Sequence, residues 1–209
     1  MNQDERAPHV MVHQWPDGAG RRIRVDRSGG WAAAVGALVR AAEPGAAGNR
    51  LVTVDGFSGA GKSTLAGHLA RSLHAPLITL EEIYPGWDGL ARTPALARRW
   101  IGDPLATGSM LRRRTWDWDR DAPGPWRSTD PAPVVVLEGC GAGARVLTPV
   151  TSLAVWVDTP AEQRERRLRA REDWTGYAPF RARWSTQEQA LAAAERTAER
   201  ADVVLDNSP

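Results

Sequence analysis

Short apolar runs alternate with longer amphipathic stretches over most of the chain. The first run is rich in β-branched residues and leads into a glycine-rich segment. Strands buried on both faces of a parallel sheet have this continuous apolar character, and helices connect them. The pattern therefore predicts an α/β fold with parallel strands at Leu51–Asp55, Leu77–Leu80, Val134–Leu137, Leu153–Val157 and Val203–Leu205.

Helical patterns occupy the stretches beside the first strand. Trp31–Ala42 is apolar and alanine-rich and stops before Pro44, which predicts a helix. After the glycine-rich segment, Leu65, Leu69 and Leu73 recur every four residues. This spacing places one face of a second helix against the sheet.

Capping signals predict two further helix starts. Thr93 would be an N-cap with Pro94 in the first helical position. Ser185 and Glu188 have the spacing of a capping box, which would open a helix that runs to about Arg200.

The length of 209 residues is that of one domain. Residues 1–30 are polar and glycine-rich and are predicted to form an N-terminal extension, either a small hairpin or a loose segment. Residues 31–209 would form the main domain. Within it, residues 84–133 make an unusually long connection, which indicates a functional insertion. The arginine-rich helix expected over Asp158–Glu172 is polar nearly all round, which suits a lid better than a core element, and the lid region is placed at residues 160–185.

Composition narrows the class of protein. Hydrophobic residues make up 42% and charged residues 25%, and the net charge of +2 gives little reason to expect nucleic-acid binding. The single cysteine, Cys140, excludes an intrachain disulfide. The chain shows no signal peptide and no apolar run of membrane-spanning length. We expect a cytoplasmic protein with a small-molecule partner and no nucleic-acid or membrane partner, and leave a homodimer open.

One segment carries a specific chemical motif. It fits the phosphate-binding pattern G-x-x-x-x-G-K-[S/T] between a predicted strand and a predicted helix. Lys62 is the only lysine in a chain that otherwise uses arginine. A compact ammonium can bridge two phosphates from within a tight loop, whereas a guanidinium is wider and forked. The motif predicts an ATP site formed by Gly56, Ser58, Gly59, Ala60, Gly61, Lys62, Ser63 and Thr64.

Two residues are predicted to hold Mg²⁺ beside the nucleotide. The hydroxyl of Ser63 is the ligand that this motif supplies. Glu138 follows the apolar run Val134–Leu137, which is the form of a Walker B segment, and would hold the ion directly or through water. The alternative for Glu138 is an ordinary surface acid at a strand end.

Candidate chemistry for a second substrate follows the second strand. Glu81 and Glu82 stand where the end of this strand should lie beside the phosphate-binding loop. A carboxylate at this place could accept the proton of an attacking hydroxyl. The alternative is two solvated acids at the start of a loop.

The arginine-rich helix after the fourth strand contains two kinds of arginine. Glu162 and Glu165 lie four residues before Arg166 and Arg169, so these arginines can be explained as surface pairs. Three others share one helix face with no acid four residues away. They are predicted to contact the anionic nucleotide, or else to form a merely solvated face: Arg164, Arg167 and Arg171.

Trp116, Asp117 and Trp118 form a third candidate group within the insertion. Tryptophan rings can stack on a planar substrate, and an aspartate can accept hydrogen bonds from sugar hydroxyls or a base amide. For the two tryptophans, core packing is the alternative.

Together these residues resemble the uridine-kinase-like branch of the P-loop kinases, from about Arg50 to Asp206. The resemblance implies a three-layer α/β/α P-loop NTPase fold, with a five-stranded parallel sheet in the order 2-3-1-4-5 and a helical lid. The matching pieces are Val54–Thr64, Leu80–Leu90, Trp116–Trp118, Leu137–Gly139 and Arg164–Arg171.

The resemblance also implies an ATP- and Mg²⁺-dependent kinase that phosphorylates a hydroxyl of a nucleoside-like acceptor. Lys62, Arg167 and Arg171 would neutralise charge during transfer. Glu81 would act as the base, where family members carry aspartate. The alternatives are a nucleotide or natural-product kinase, or a nucleotide-binding regulatory module without transfer activity. The acceptor would contact Glu81, Tyr84, Trp87, Trp116, where the family usually has tyrosine, and Asp117.

Overall fold

The computed structural model describes residues 12–14, 21–26 and 28–209. Its largest element is a seven-stranded sheet. The strands of this sheet are β1 (Val12–Gln14), β2 (Arg21–Arg24), β3 (Arg50–Asp55), β4 (Leu77–Thr79), β7 (Val134–Glu138), β8 (Leu153–Asp158) and β9 (Val203–Asp206). Their spatial order is β1-β2-β9-β8-β3-β7-β4, and all neighbours pair in parallel except β1 and β2.

The mostly parallel sheet confirms the predicted α/β class, but the prediction of a five-stranded sheet is wrong. β2 pairs with β9, and β1 adds an antiparallel edge, so the complete strand order differs as well. Both strands are short, and in β2 only Ile23 is buried, which left no apolar run to detect. The five expected strands lie side by side as β4-β7-β3-β8-β9. Of the predicted extension 1–30, residues 1–11, 15–20 and 27 lie outside the described residues.

The helices are α1 (Gly30–Ala41), α2 (Lys62–Leu73), α3 (Thr93–Ala97), α4 (Asp103–Ala106), α5 (Ala161–Arg169), α6 (Trp174–Tyr177), α7 (Arg181–Glu195) and α8 (Thr197–Arg200). A π-helical segment, Arg98–Gly102, joins α3 to α4. The helices α1 and α2 confirm the predictions for these segments. No helix within the described part of the chain has the length and apolar character that a membrane span requires.

Both capping predictions are wrong. Thr93 lies inside the first turn of α3, where its hydroxyl donates to the carbonyl of Gly89 at 2.9 Å. The helix α7 begins at Arg181, so Ser185 lies in its second turn rather than at its start. The side chain of Glu188 is buried and hydrogen-bonded outside its own helix, which a capping residue would not be.

The long connection between β4 and β7 has secondary structure of its own. It contains α3, α4 and an antiparallel hairpin of β5 (Leu111–Asp117) and β6 (Ala122–Thr129). A bulge between Arg114 and Trp116 shifts the register of this hairpin. The connection therefore forms a small subassembly, packed against the carboxyl-end side of the main sheet through β5 and the segment after β4.

Helices cover the central sheet on both faces. Adjacent strand residues alternate between two cores, with Leu51 and Val135 in one and Val52 and Val136 in the other. The second core is completed by α1 and α2 through Val35, Val39, Leu65 and Leu69. The first is completed by the insertion and α7 through Ile101, Leu105, Leu111 and Trp184.

Candidate active site

An open cleft of about 1290 Å³ lies at the carboxyl ends of β3, β4 and β7. It brings together the phosphate-binding loop, the segment after β4, the hairpin and residues of α5, α6 and α7. The predicted residues that line it are Ser58, Gly59, Lys62, Ser63, Thr64, Glu81, Tyr84, Trp87, Trp116, Glu138, Arg167 and Arg171, together with Gly61. Gly56, Ala60, Asp117 and Arg164 do not line it.

Glycine is required at two places in the loop because other parts of the chain approach the backbone closely. Gly59 has φ +77°, and a Cβ atom there would lie 2.5 Å from the carbonyl oxygen of Arg164. Gly61 has φ +96°, and its Cβ would lie 2.5 Å from Nδ2 of Asn207. The loop is therefore packed against the backbone of α5 on one side and the segment after β9 on the other.

The carbonyl oxygen of Ala60 accepts three hydrogen bonds. The donors are Oγ1 of Thr159 at 3.0 Å, Nη1 of Arg167 at 3.1 Å and Nδ2 of Asn207 at 2.7 Å. Arg167 also donates to the carbonyl of Asn207 at 3.2 Å, and burial lowers its pKa. Arg167 thus holds the second half of the loop in place while also lining the cleft.

The other two arginines of the predicted stripe have different surroundings. Arg164 donates to the carbonyl of Thr159 at 3.2 Å, and its guanidinium lies 4.8 Å from the centre of the Phe57 ring. Arg171 is not unpaired, because Asp173 accepts from its Nε at 2.8 Å and raises its pKa. The helix α5 ends at Arg169, so Arg171 and Asp173 both lie beyond it, and the prediction that Arg171 shares one helix face with Arg164 and Arg167 is wrong. The expected surface pairs Glu162–Arg166 and Glu165–Arg169 are both present.

Lys62 lies beneath the loop with only 8% of its surface exposed. Its ammonium donates to the carbonyl of Phe57 at 3.1 Å and to Sγ of Cys140 at 3.4 Å. Burial opposes this charge, but the nearby Cys140, Glu188 and Glu138 more than compensate and raise the lysine pKa. Lys62 is therefore cationic at every physiological pH.

Ser63 and Glu138 meet at the first turn of α2. The hydroxyl of Ser63 donates to Oε1 of Glu138 at 3.2 Å, and Glu138 is buried at the end of β7. A hydroxyl and a carboxylate are suitable ligands for Mg²⁺, which commonly takes its remaining ligands from phosphates and water. No group of three potential metal ligands occurs among the described residues. The hydroxyl of Ser63 and the carboxylate of Glu138 are therefore chemically suited to a Mg²⁺ ion that takes its other ligands from elsewhere.

The structure separates the two adjacent acids after β4. Glu82 accepts from Nε of Arg113 at 2.9 Å and from Arg127 at 3.2 Å, so the hairpin holds it. The carboxylate of Glu81 lines the cleft and accepts no hydrogen bond from the described residues. Burial raises the pKa of Glu81, while the nearby Arg171 partly opposes this shift. A carboxylate with a raised pKa, free in a cleft, is suited to proton transfer.

An aromatic wall forms the far side of the cleft, with Trp87 at its centre. The Trp87 ring stacks on Phe180 at 4.4 Å and an interplanar angle of 6°. It also contacts Trp118 at 4.8 Å and Trp184 at 6.0 Å, measured between ring centres. Trp118 in turn donates from its ring nitrogen to the carbonyl of Glu81 at 3.1 Å. The wall is thus tied to the segment that carries the free carboxylate.

Three predicted acceptor residues have specific placements. The hydroxyl of Tyr84 is buried and donates to the carbonyl of Cys140 at 3.0 Å, so only its ring is available to the cleft. Trp116 lines the cleft, and its ring nitrogen has no hydrogen-bond partner among the described residues. Asp117 accepts from the backbone N–H of Arg120 at 3.0 Å and lies outside the lining. Asp119 and Asp121, which the sequence analysis did not select, line the cleft instead.

Buried acids behind the loop were also missed. Asp55, at the end of β3, accepts backbone hydrogen bonds from Gly56 at 2.7 Å, Gly143 at 2.9 Å and Gly141 at 3.1 Å. Its position at the end of a buried strand could have identified it. Glu188 could not be found in this way, because its spacing from Ser185 predicted a helix cap.

Comparison with known proteins identifies the fold. No protein-family model and no curated protein matches the chain. Among solved structures, it is similar to a possible uridine kinase from Bacillus stearothermophilus, with a TM-score of 0.62 and 17% identity over 84% of this chain and 97% of that chain. It is also similar to a candidate fructose transport system kinase from Silicibacter sp. TM1040, with a TM-score of 0.52 and 20% identity over 83% of this chain and 97% of that chain. At such identities, the likeness establishes a shared fold.

Proposed function

We propose that the chain is a Mg²⁺- and ATP-dependent kinase that phosphorylates a hydroxyl of a small, nucleoside-like acceptor. One observation carries the proposal. A single cleft is lined by residues of the phosphate-binding loop and Glu138 and also by the free carboxylate of Glu81 and the aromatic wall. The fold shared with two proteins described as kinases supports it.

The loop end of the cleft would bind the nucleotide phosphates. Backbone N–H groups of the loop and the start of α2 form an anion cradle, and Lys62 adds a buried positive charge. Ser63 and Glu138 would hold Mg²⁺, which supplies charge neutralisation at the phosphates. Arg167 and Arg171 line the same cleft and would add positive charge near the transferred group.

Transfer would place the acceptor hydroxyl between Glu81 and the γ-phosphorus. The hydroxyl oxygen forms a bond to phosphorus, the bond from phosphorus to the β,γ-bridging oxygen breaks, and ADP leaves with that electron pair. Glu81 takes the hydroxyl proton. Such transfer depends chiefly on positioning and charge stabilisation. Trp118 of the aromatic wall and Trp116, which also lines the cleft, would orient a planar part of the acceptor.

The proposal is tested by ATP turnover against a panel of nucleosides, nucleotides and sugar alcohols. We expect at least one nucleoside-like compound to stimulate ADP release and to gain a phosphate detectable by mass spectrometry. A nucleotide or non-nucleoside natural product as the sole acceptor would replace the nucleoside assignment and retain the kinase. Tight ATP binding with no phosphorylated product from any acceptor class would instead favour a regulatory nucleotide-binding module.

A further inference from the structure

Glu188 is buried in the middle of α7, yet its hydrogen bonds lead to the phosphate-binding loop. Its Oε1 accepts from the backbone N–H of Ser58 at 2.8 Å and from the Ser58 hydroxyl at 2.5 Å. The same oxygen accepts from Sγ of Cys140 at 2.8 Å and from the ring nitrogen of Trp184 at 3.1 Å. Four donors thus converge on one oxygen, and Oε2 accepts no hydrogen bond from the described residues.

The carboxylate lies behind the loop and not in the cleft. It lines a small cavity of about 10 Å³ together with Asp55 and Gly56. Its donors Ser58 and Cys140 line the large cleft. Glu188 can therefore affect a bound nucleotide only through the groups that it holds.

Those groups surround the lysine. Cys140 Sγ, which donates to Glu188, lies 3.4 Å from the ammonium of Lys62. Ser58 follows Phe57, whose carbonyl accepts from the same ammonium. Glu188 thus fixes the first half of the loop, while the donors to the Ala60 carbonyl fix the second half.

We propose that Glu188 is a positioning residue for the nucleotide phosphates, which sets the first half of the loop through Ser58 and couples it to the lid through α7. The proposal rests on the proposed function, because it needs a nucleotide in the loop. Trp184 extends the coupling, since its ring packs edge-on at 4.9 Å against the ring of Tyr84, which lines the cleft. A shift in the position of α7 would then change the conformation of the loop, and a change in the loop would shift α7.

Two conservative variants separate the effect of the length of the Glu188 side chain from the effect of its charge. Glu188→Gln keeps the length of the side chain, and its amide nitrogen can occupy the place of the unused Oε2, so all four hydrogen bonds survive without the charge. Glu188→Asp keeps the charge but withdraws the oxygen by about 1.5 Å, which breaks the contacts with Ser58. Positioning predicts that the Asp variant binds ATP worse, whereas simple charge balance against Lys62 predicts that the Gln variant does.

The experiment is the Kd for Mg·ATP by calorimetry, without any acceptor, on proteins shown to be folded by circular dichroism. We expect Glu188→Asp to weaken binding about tenfold, as for the loss of charge-assisted hydrogen bonds, and Glu188→Gln by about threefold or less. Glu195→Asp is the matched control, because Glu195 lies on α7 and contacts Arg145 away from the loop. It should bind ATP like the wild type.

The outcomes decide between the two proposals. Wild-type affinity in Glu188→Asp, or weaker binding by Glu188→Gln than by Glu188→Asp, overturns the role of Glu188 and leaves the kinase proposal intact. Equal loss in Glu188→Asp and Glu195→Asp also overturns it, since both would then act through the helix alone. Failure of the wild-type protein to bind Mg·ATP would overturn both the Glu188 proposal and the kinase proposal.

Discussion

Nε of Arg113 donates to Oε2 of Glu82 at 2.9 Å and thereby joins β5 to the turn that follows β4. Arg113 is buried, so this pair is a structural link and not a surface contact. Its consequence concerns the neighbouring acid. With Glu82 held by the hairpin, Glu81 is left with a free carboxylate on the cleft side.

Replacement of Glu81 by Gln should lower kcat by about 10²–10⁴-fold, since the amide cannot accept the hydroxyl proton. The Kd for Mg·ATP should change little, because Glu81 lies at the acceptor end of the cleft. Glu82→Gln is the neighbouring control. It should retain most of the activity but lose about 1–3 kcal/mol of unfolding free energy in a urea titration, because Arg113 loses its charged partner. Wild-type kcat in Glu81→Gln would remove the base assignment.

The acid limb of the pH–rate profile should lie above the pKa of an ordinary glutamate. Burial raises the pKa of Glu81, so its carboxyl group holds a proton up to a higher pH than usual. A base must be deprotonated, so kcat should increase as the pH rises through this value. Rate measurements from pH 4 to 8 test the point, and the limb should vanish from the residual activity of Glu81→Gln. A limb that persists in that variant belongs to another group.

Neither Arg nor Ala at position 62 should support the turnover that Lys62 supports. The ammonium occupies a space bounded by the Phe57 carbonyl and Cys140 Sγ, which a planar guanidinium cannot share without moving the loop. We expect both variants to lose at least about 10²-fold in turnover, the typical effect of removing a preorganised charge-stabilising donor. The reciprocal change, Arg112→Lys on the exposed face of β5, should leave turnover unchanged. Near-normal turnover by Lys62→Arg would contradict the steric argument.

Two glycines offer a matched test of how the lid packs on the loop. Gly59 and Gly48 have nearly the same φ, +77° and +79°, but a Cβ at Gly48 meets nothing within 4 Å. Gly48→Ala should therefore cost only the strain of the left-handed conformation, about 1–2 kcal/mol. Gly59→Ala should cost more and also abolish ATP binding, because its Cβ would collide with the carbonyl of Arg164. Thermal unfolding and nucleotide titration of both variants measure the difference.

The central strands could be predicted from the sequence because burial on both faces leaves continuous apolar runs. For residues 1–30 the sequence left a hairpin and a loose segment as alternatives, and the pairing of β2 with β9 could not be predicted, since both added strands are short and lie at or near the edge of the sheet. The proximity of Lys62, Ser63 and Glu138 could be predicted for a similar reason. Their neighbourhood is set by a local motif and by the shared edge of adjacent parallel strands, β3 and β7.

The rest of the site depends on contacts that no local pattern encodes. Glu188 reaches Ser58 across 130 positions of the chain, and its sequence spacing favoured a different role. Arg171 was expected to be free, yet Asp173 beyond the helix end pairs with it. Asp117 was selected for its chemistry, but the hairpin turn directs it to the N–H of Arg120.

Because the carbonyl of Ala60 accepts three hydrogen bonds from distant residues, the conformation of the loop depends on segments far along the chain. The asparagine that donates to it lies 147 residues further on, after the last strand. A polypeptide ending before Asn207 would contain every residue of the phosphate-binding motif but would lack one of the three hydrogen-bond donors to the Ala60 carbonyl. During synthesis, the loop could reach its final conformation only once β9 had joined the sheet. Under the proposed function, nucleotide binding would begin only after that step. Ligand stabilisation should consequently act on global unfolding, with the Gly-rich segment and the carboxyl-terminal strand released together.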